Sequence, residues 1–393
     1  MRTGAVFSAA ALANYCGTGV ERRQPGAAGH DPLENALARG LRNRPILVAL
    51  NAGITAPNPH NTQAWKFRLV GDAGDVALLY VDESRLLPVT DPTHRQIHIG
   101  QGCLLETTAL AASRLGYACR IDLFPEGRYR VPQSIGRQPV ARIQLIRAPS
   151  LRPDPLSEAI AARHTVRAAD VGPRRARDER ESVITLARPA GSRVEPVLGM
   201  GALRAHLDRH FAGFEREVIT QRTAEESRQW FRIGEREIFS KRDGISLRDN
   251  GIDGFERWLL ESLFLSTEPE VYFDKANTSR FLARYRENLN TARAGVIVIT
   301  PANRPVDWVQ SGRDYVRLQL AATRMGFVSR PMSQLLQEFP EMSDLADEFS
   351  QFIGVAAPAK IQMCMFLGRG DTEYYSPRRS LDDMIADRPG GRE

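Results

Sequence analysis

Ala56-Pro57-Asn58-Pro59-His60-Asn61-Thr62-Gln63-Ala64-Trp65-Lys66-Phe67 is the stretch from which the rest of the chain can be read. Two prolines fix φ and withhold two backbone donors, while Asn58 and Asn61 carry amides able to close local turns or face a ligand. The expected result is a rigid, polar elbow. Before it, Ile46-Leu47-Val48-Ala49-Leu50 reads as a buried helix that ends near Gly53; after it, Trp65-Lys66-Phe67-Arg68-Leu69-Val70 alternates like a strand. The elbow thus joins a helix end to a sheet edge.

With 393 residues, 42% of them hydrophobic, the chain has material for two domains or for one large one with insertions. Its net charge of +6 comes from 53 Lys+Arg against 47 Asp+Glu, and nearly all the basic residues are Arg. That balance suits phosphate-bearing small ligands or an Arg-rich proteome. Nucleic acid is not expected, because the basic residues form no stripe and no aromatic-interleaved basic run, zinc-finger, RRM or homeodomain pattern occurs. Cys16, Cys103, Cys119 and Cys364 are isolated from one another and read as buried thiols in a reducing compartment. His94 and His98 lie four apart on a helix without a third ligand, so no metal site is expected. No apolar run approaches the length of a membrane span. Residues 1–32 read as a mobile leader and a poor secretory signal, which makes a cytoplasmic location the expectation and leaves export open.

In chain order, Asp31 as N-cap and Pro32 at N1 open a helix. Residues 76–82 alternate as a strand. Asp91-Pro92 repeats the cap-plus-proline signal and opens a long helix through Leu115, closed by Gly116. Within it, Gly100-Gln101-Gly102 lacks the third glycine and preceding strand of a dinucleotide fingerprint and reads as a close helix contact. Strands follow near 118–124 and 140–146, then a proline-rich linker over 147–155, and a helix that starts at Leu156 and runs into Arg163-His164-Thr165-Val166-Arg167. Residues 200–265 are helical and highly charged, broken at Arg242-Asp243-Gly244, and read as an inserted arm or lid. A buried strand (295–300), a long helix (307–325) and a final buried strand (361–367) complete the chain.

The two long helices resemble each other. Leu110-Ala111-Ala112-Ser113-Arg114-Leu115-Gly116-Tyr117 aligns with Leu320-Ala321-Ala322-Thr323-Arg324-Met325-Gly326-Phe327, and the alignment runs without gaps from Gly102 and Gly312. Each helix is also followed by a strand, which points to an internal duplication.

The helix, the elbow and the strand together resemble the FMN-dependent nitroreductase superfamily, whose signature is Ala-Pro-Ser-x-x-Asn-x-Gln-Pro-Trp. Residues 56–65 match it with Asn58 at the Ser position and Ala64 at the second Pro position. Members of that family are usually homodimers with FMN across the interface, one subunit supplying an Arg-x-Ser/Thr-x-Arg for the phosphate and the other the elbow. Here Arg163-His164-Thr165-Val166-Arg167 looks like the first element and residues 56–63 like the second, in one chain. The corresponding places in the other halves are degenerate: residues 36–44 lack the arginine motif, and Ala187-Arg188-Pro189-Ala190-Gly191-Ser192 keeps a relic of the elbow. This pattern is similar to the double-length Acg-like branch of the superfamily.

The resemblance implies an α+β, nitroreductase-like fold of two fused halves forming a pseudo-dimer, with mixed or antiparallel sheets flanked by helices. The halves would span 33–150 and 151–393, the second carrying a charged helical insertion at about 200–290. FMN would be held by Arg163, Thr165 and Arg167, by the elbow residues Pro57, Asn58, His60, Asn61 and Gln63, by Arg378 or Arg379, and by the loop carrying Arg330, Pro331 and Met332. In that loop Arg330 either lends charge to the ring or faces solvent. Guanidinium forks suit a phosphate dianion because they pair with it bidentately and stay charged. The implied activity is hydride transfer from NAD(P)H through FMN to nitroaromatic, quinone or similar flat acceptors, with no protein group named as catalytic. The alternative is a flavin-storage protein whose ring the arm shields. A monomeric pseudo-dimer, or at most a weak homo-oligomer, is the expected assembly.

Overall fold

The computed structural model describes residues 31–38, 40–71, 75–168, 177–197, 199–263, 274–370 and 374–386, so nearly all of the expected leader lies outside the described residues. The first helix, α1 (Pro32–Ala38), begins as its sequence dictates, with Asp31 Oδ1 accepting from the Leu33 amide at 2.9 Å. A buried α2 (Pro45–Gly53) leads into the elbow, and β1 (Trp65–Val70) follows, with Trp65 and Phe67 inward and Lys66 and Arg68 outward. Next come β2 (Val76–Val81), α3 (Arg95–Arg114), β3 (Tyr117–Leu123) and β4 (Ala141–Arg147). The first sheet has the order β1-β2-β4-β3, antiparallel throughout.

The remainder repeats this plan with one long interruption. After α4 (Arg177–Ala187) and β5 (Arg193–Val197) come the helices α5 (Met200–Ile219), α6 (Gln221–Gln229), α7 (Gly234–Lys241), α8 (Gly254–Leu263) and α9 (Lys275–Asn290). Then β6 (Ala294–Thr300), α10 (Pro305–Arg324), β7 (Val328–Pro331), α11 (Ser343–Ile353) and β8 (Lys360–Gly368) build a second antiparallel sheet of order β5-β6-β8-β7. In each sheet a 20-residue helix separates the second strand from the third. β1 and β2 are close in sequence, whereas the charged helices lie between β5 and β6. Strand β6 is buried along its whole length, which is why it reads as a continuous apolar run.

The two long helices, α3 and α10, cross at their aligned glycines. A Cβ on Gly102 would fall 1.9 Å from the Val309 carbonyl oxygen, and a Cβ on Gly312 would fall 1.9 Å from that of Ile99. The contacts are reciprocal, three residues back in each helix, so only glycine permits this approach. Both helices also end at a glycine with positive φ, Gly116 at 77° and Gly326 at 72°. One hydrophobic core runs from Leu33 to Met384 through both sheets.

Several expectations are corrected. The long helix α3 begins at Arg95 and not at Pro92, yet Asp91 still caps it, its carboxylate accepting from the Gln96 and Ile97 amides at 3.0 and 2.9 Å. The helix expected from Leu156 to Arg167 is a 3-10 turn over Pro155–Ala159, with turn residues to Ala162; the chain then leaves helix, Thr165 bridging Ser329 and Val166 N donating to the Ser329 carbonyl at 3.2 Å. The β-branched Thr165-Val166 pair favours that extended pairing over helix. Arg330 and Pro331 belong to a strand, β7, and not to a loop. Sheet pairing is antiparallel; among the described residues parallel contacts are single bridges such as Phe67 with Ile385. That bridge, with Ala386 N donating to the Phe67 carbonyl at 2.8 Å, lays the C-terminal segment on the first sheet.

Candidate active site

The elbow is an unusual piece of backbone. His60, Asn61 and Gln63 take φ of 47°, 52° and 52°, a region that costs non-glycine residues roughly 1–3 kcal/mol each. Side chains hold it there: Asn58 Oδ1 accepts from Gln63 N at 2.8 Å, Gln63 Nε2 donates to the Arg242 carbonyl at 2.8 Å, and Gln63 Oε1 accepts from Arg379 N at 2.8 Å. The Gly100-Gln101-Gly102 run of α3 lies beneath. Gly100 abuts Asn58 and Pro59, Gln101 Nε2 donates to the Ala64 carbonyl at 2.7 Å, and Gly102 receives α10.

Above the elbow opens a cavity of about 1190 Å³. Of the residues expected in a cofactor site, Pro57, Asn58, His60, Asn61, Arg163, Thr165, Arg167, Pro331, Arg378 and Arg379 line it, and Gln63, Arg330 and Met332 do not. Gln63 is fully buried and works on the elbow itself. Arg330 neither faces solvent nor enters the cavity; its guanidinium donates to the carbonyls of Arg167 and Ala168 and so fixes the arginine segment. Met332 lies in a separate apolar cluster with Leu335, Phe339 and Phe366, its sulfur accepting from Tyr285 Oη at 3.4 Å.

Arg163, His164, Thr165 and Arg167 all line the cavity where the chain leaves the 3-10 turn and bridges to Ser329. Arg163 donates to Gln319 Oε1 at 3.2 Å and the Thr55 carbonyl at 3.1 Å, and Arg167 to the Asp249 carbonyl at 3.2 Å. Arg378 donates to Asn61 Oδ1 and, at 3.4 Å, to the Thr55 and Ala56 carbonyls. Its Nε has no partner among the described residues. None of the three guanidiniums has a carboxylate within 4.0 Å among the described residues, whereas Arg85, Arg232 and Arg317, for example, do. Burial, with Arg163 beside it, pushes Arg378 down to about 9, and burial lowers Arg163 as well. Asp249, which lines the same cavity beyond ion-pair distance, offsets part of this for Arg378, and an anion in the cavity would relieve more of the cost of the buried positive charge. Arg379 is different: it stands 3.6 Å from Asp82 and donates to the Asp383 carbonyl.

The opposite wall comes from the charged arm: Phe214, Glu217, Ser227, Phe231, Phe281 and Tyr285 all face the cavity. Phe214 and Tyr285 stack with ring centroids 3.7 Å apart. Tyr315 of α10 also lines it, accepting from Gln319 Nε2 at 2.7 Å. Sequence reasoning missed Tyr315 and Gln319, although the helix repeat carries a signal: they align with Leu105 and Ala109, so only one copy is polar there. At Ala187–Ser192, the segment expected to be a relic of the elbow, the Asp314 carboxylate of α10 accepts from the Ala190 and Gly191 amides at 2.9 and 3.0 Å.

Buried histidines set the acid limit of the fold. Burial first of all holds His60, His98 and His206 down at about 4 and His210 at about 3. Each stays neutral in the fold where the unfolded chain would charge it, so unfolding takes up protons and stability falls as pH drops from 6.5 through 4. Asp91 and Glu217, raised by burial to about 6 and about 7, act oppositely: what they contribute is present below the ordinary carboxylate range and lost as pH rises toward 7. Four groups outweigh two, because each tenfold change in a group's proton affinity on folding is worth about 1.4 kcal/mol. Urea midpoints should therefore drop between pH 6.5 and 4.5. His210→Phe should flatten the fall, since His210 sits against Phe349 and Phe366 with neither ring nitrogen partnered among the described residues; an unchanged slope in that variant would contradict this.

Fold and site together define an α+β chain of two antiparallel sheets with a cavity that has a cationic wall. No protein-family model matches the chain. A 96-residue stretch is 28% identical to proteins from two strains of Mycobacterium tuberculosis, CDC 1551 / Oshkosh and ATCC 25618 / H37Rv, that are provisionally named NAD(P)H nitroreductases. The match covers 24% of this chain and spans about a quarter, 27%, of each relative. Similar solved structures include the FMN-dependent nitroreductase NfnB of Mycobacterium smegmatis in complex with NADPH, at 20% identity and TM-score 0.38 over 59% of this chain and 98% of that one. The FMN- and NADPH-dependent NfnB of sphigopyxis sp. strain HMH is similar at 18% identity and TM-score 0.39, over 60% and 99% of the two chains. Among the described residues no helix is long and apolar enough to cross a membrane.

Proposed function

We propose that this chain is an FMN-binding, NAD(P)H-dependent oxidoreductase made of two fused nitroreductase-like halves, with one flavin site per chain. The observation that carries this reading is the set Arg163, Arg167 and Arg378, three guanidiniums on one cavity without a carboxylate partner among the described residues. A phosphate dianion is the chemistry such a wall fits. The nitroreductase names of the relatives support the choice of FMN among phosphate ligands. Bound there, FMN would supply the ring that takes a hydride from NAD(P)H and hands it to a second substrate.

Each part of the site has a role in this reading. Arg163, Arg167 and Arg378, with Thr165, hold the phosphate, and Arg379 lends a more distant charge. Asn58, His60 and Asn61 face the ring or ribityl edge from an elbow that Pro57 and Gln63 keep rigid. Arg330 holds the arginine segment in place, and Pro331 closes the floor. The aromatic arm wall excludes water and receives flat acceptors such as nitroaromatics or quinones. The same wall favours a second reading, a flavin-storage protein with little turnover, because the arm lies directly across the cavity.

Anaerobic spectroscopy separates the two. Protein reconstituted with FMN should lose its flavin absorbance in the visible within seconds of adding NADPH or NADH and regain it on adding a quinone. Flavin bands that persist for minutes would favour storage, and reconstituted protein without flavin bands would overturn both readings.

A further inference from the structure

Glu217 is a buried carboxyl of the cavity that phosphate and elbow leave unexplained. It projects from α5, lines the cavity and is 5% exposed. Its Oε2 has no hydrogen-bond partner among the described residues, and its Oε1 accepts a long bond of 3.5 Å from Ser227 Oγ. His60 Nε2 lies 3.9 Å from Oε1 and 3.2 Å from Ser227 Oγ. Elbow, α5 and α6 therefore meet at one carboxyl, with no Lys or Arg of the described residues within 4.0 Å of it.

The other groups facing it are accounted for. Glu226 is committed elsewhere, its carboxylate accepting from Val89 N, Thr90 N and Thr90 Oγ. Tyr285 presents a neutral phenol that burial pushes up to about 12. Gln337 stands outside hydrogen-bond geometry of Oε2 yet close enough to favour the ionised form. Burial, opposed by Gln337 and reinforced by Glu226, still holds the Glu217 carboxyl up at about 7, whereas burial and Arg167 hold His60 down at about 4. At neutral pH the transferable proton beside the elbow belongs to Glu217 and not to His60.

We propose that Glu217 is the acid that protonates a two-electron acceptor bound in this cavity, an inference that rests on the FMN-dependent reading above. Reduction of a quinone to a hydroquinone consumes NAD(P)H and one proton and yields NAD(P)+. The two electrons and one hydrogen come from the nicotinamide by way of the flavin. The remaining proton leaves the Glu217 carboxyl as its O–H bond breaks and forms the new O–H bond on the acceptor oxygen. The resulting carboxylate is reprotonated from solvent, with Ser227 as the nearest hydroxyl.

The test uses the FMN-reconstituted full chain and its Glu217→Gln variant, reduced anaerobically with NADPH and then mixed with menadione or with ferricyanide, which takes up electrons without protons. Wild-type oxidation by menadione should slow as pH rises through about 7. Glu217→Gln should be at least about 100-fold slower with menadione at pH 6, flat with pH, and as fast as wild type with ferricyanide. Carboxyl infrared difference titration of the flavin-free wild type, read against the variant, should show one Glu protonating near pH 7. Wild-type menadione rates in Glu217→Gln, or a carboxyl band that titrates below pH 5, would overturn the inference while flavin reduction by NADPH still stood. A wild type that binds no FMN would overturn the proposed function and this inference together.

Discussion

Replacing Arg163 and Arg378 together by alanine is expected to weaken FMN binding by about 10²–10⁴-fold while leaving the circular dichroism spectrum unchanged. Hydrogen bonds to charged groups contribute roughly 1.5–3 kcal/mol each, and two of them amount to about two to four decades in affinity. The two losses will not add strictly, because both side chains serve one ligand and both donate to the Thr55 carbonyl. Wild-type protein at a hundredfold excess of FMN over its Kd should gain about 2.7 kcal/mol of stability, and the double variant almost none. Flavin-fluorescence titration and thermal unfolding with and without FMN measure both effects. A double variant that holds FMN as tightly as wild type would remove the phosphate assignment.

The second large effect concerns the crossing of α3 and α10. Gly102→Ala or Gly312→Ala places a methyl group 1.9 Å from a backbone oxygen of the facing helix, and backbone cannot rotate away as a side chain can. The helices must separate along a contact that also carries the Glu106 ion pairs to Arg313 and Arg317. Each substitution is expected to cost about 4 kcal/mol or more. The double variant should cost less than the sum, since a helix pair already forced apart accepts the second methyl more easily. Gly201→Ala, in α5 with open space around it, serves as the control and should be neutral or stabilising by up to about 1 kcal/mol. Urea unfolding of the three single variants checks this ordering.

How far the sequence was legible depended on whether the signal was local. The elbow, β1, β2, β6 and β8 were readable because alternation or continuous burial is written residue by residue. The aligned glycines and the shared helix endings marked α3 and α10 as a pair, and their reciprocal contact explains why glycine stands at both places. Arg163 to Arg167 were found as a motif but assigned to the wrong backbone, because the pairing of Thr165 with Ser329 is a contact across 164 positions that no local pattern encodes. The choice between Arg378 and Arg379 was open for the same reason. Both line the cavity, and only the fold shows that Arg379 stands 3.6 Å from Asp82 while Arg378 has no carboxylate within 4.0 Å among the described residues. Strands β5 and β7 escaped notice because each is short and carries a proline. Glu217 was hidden among the many charges of the arm, whose solvent-facing residues look no different in sequence from the one that faces inward.

The most direct measurement is an equilibrium titration of the flavin-free chain with FMN and, separately, with riboflavin, which has the same ring and ribityl chain but no phosphate. A cavity built around Arg163, Arg167 and Arg378 should bind one FMN per chain and riboflavin at least about 100-fold more weakly, with the difference lost in the Arg163→Ala, Arg378→Ala variant. Equal affinity for the two flavins, or no binding of either, would contradict the account at its centre.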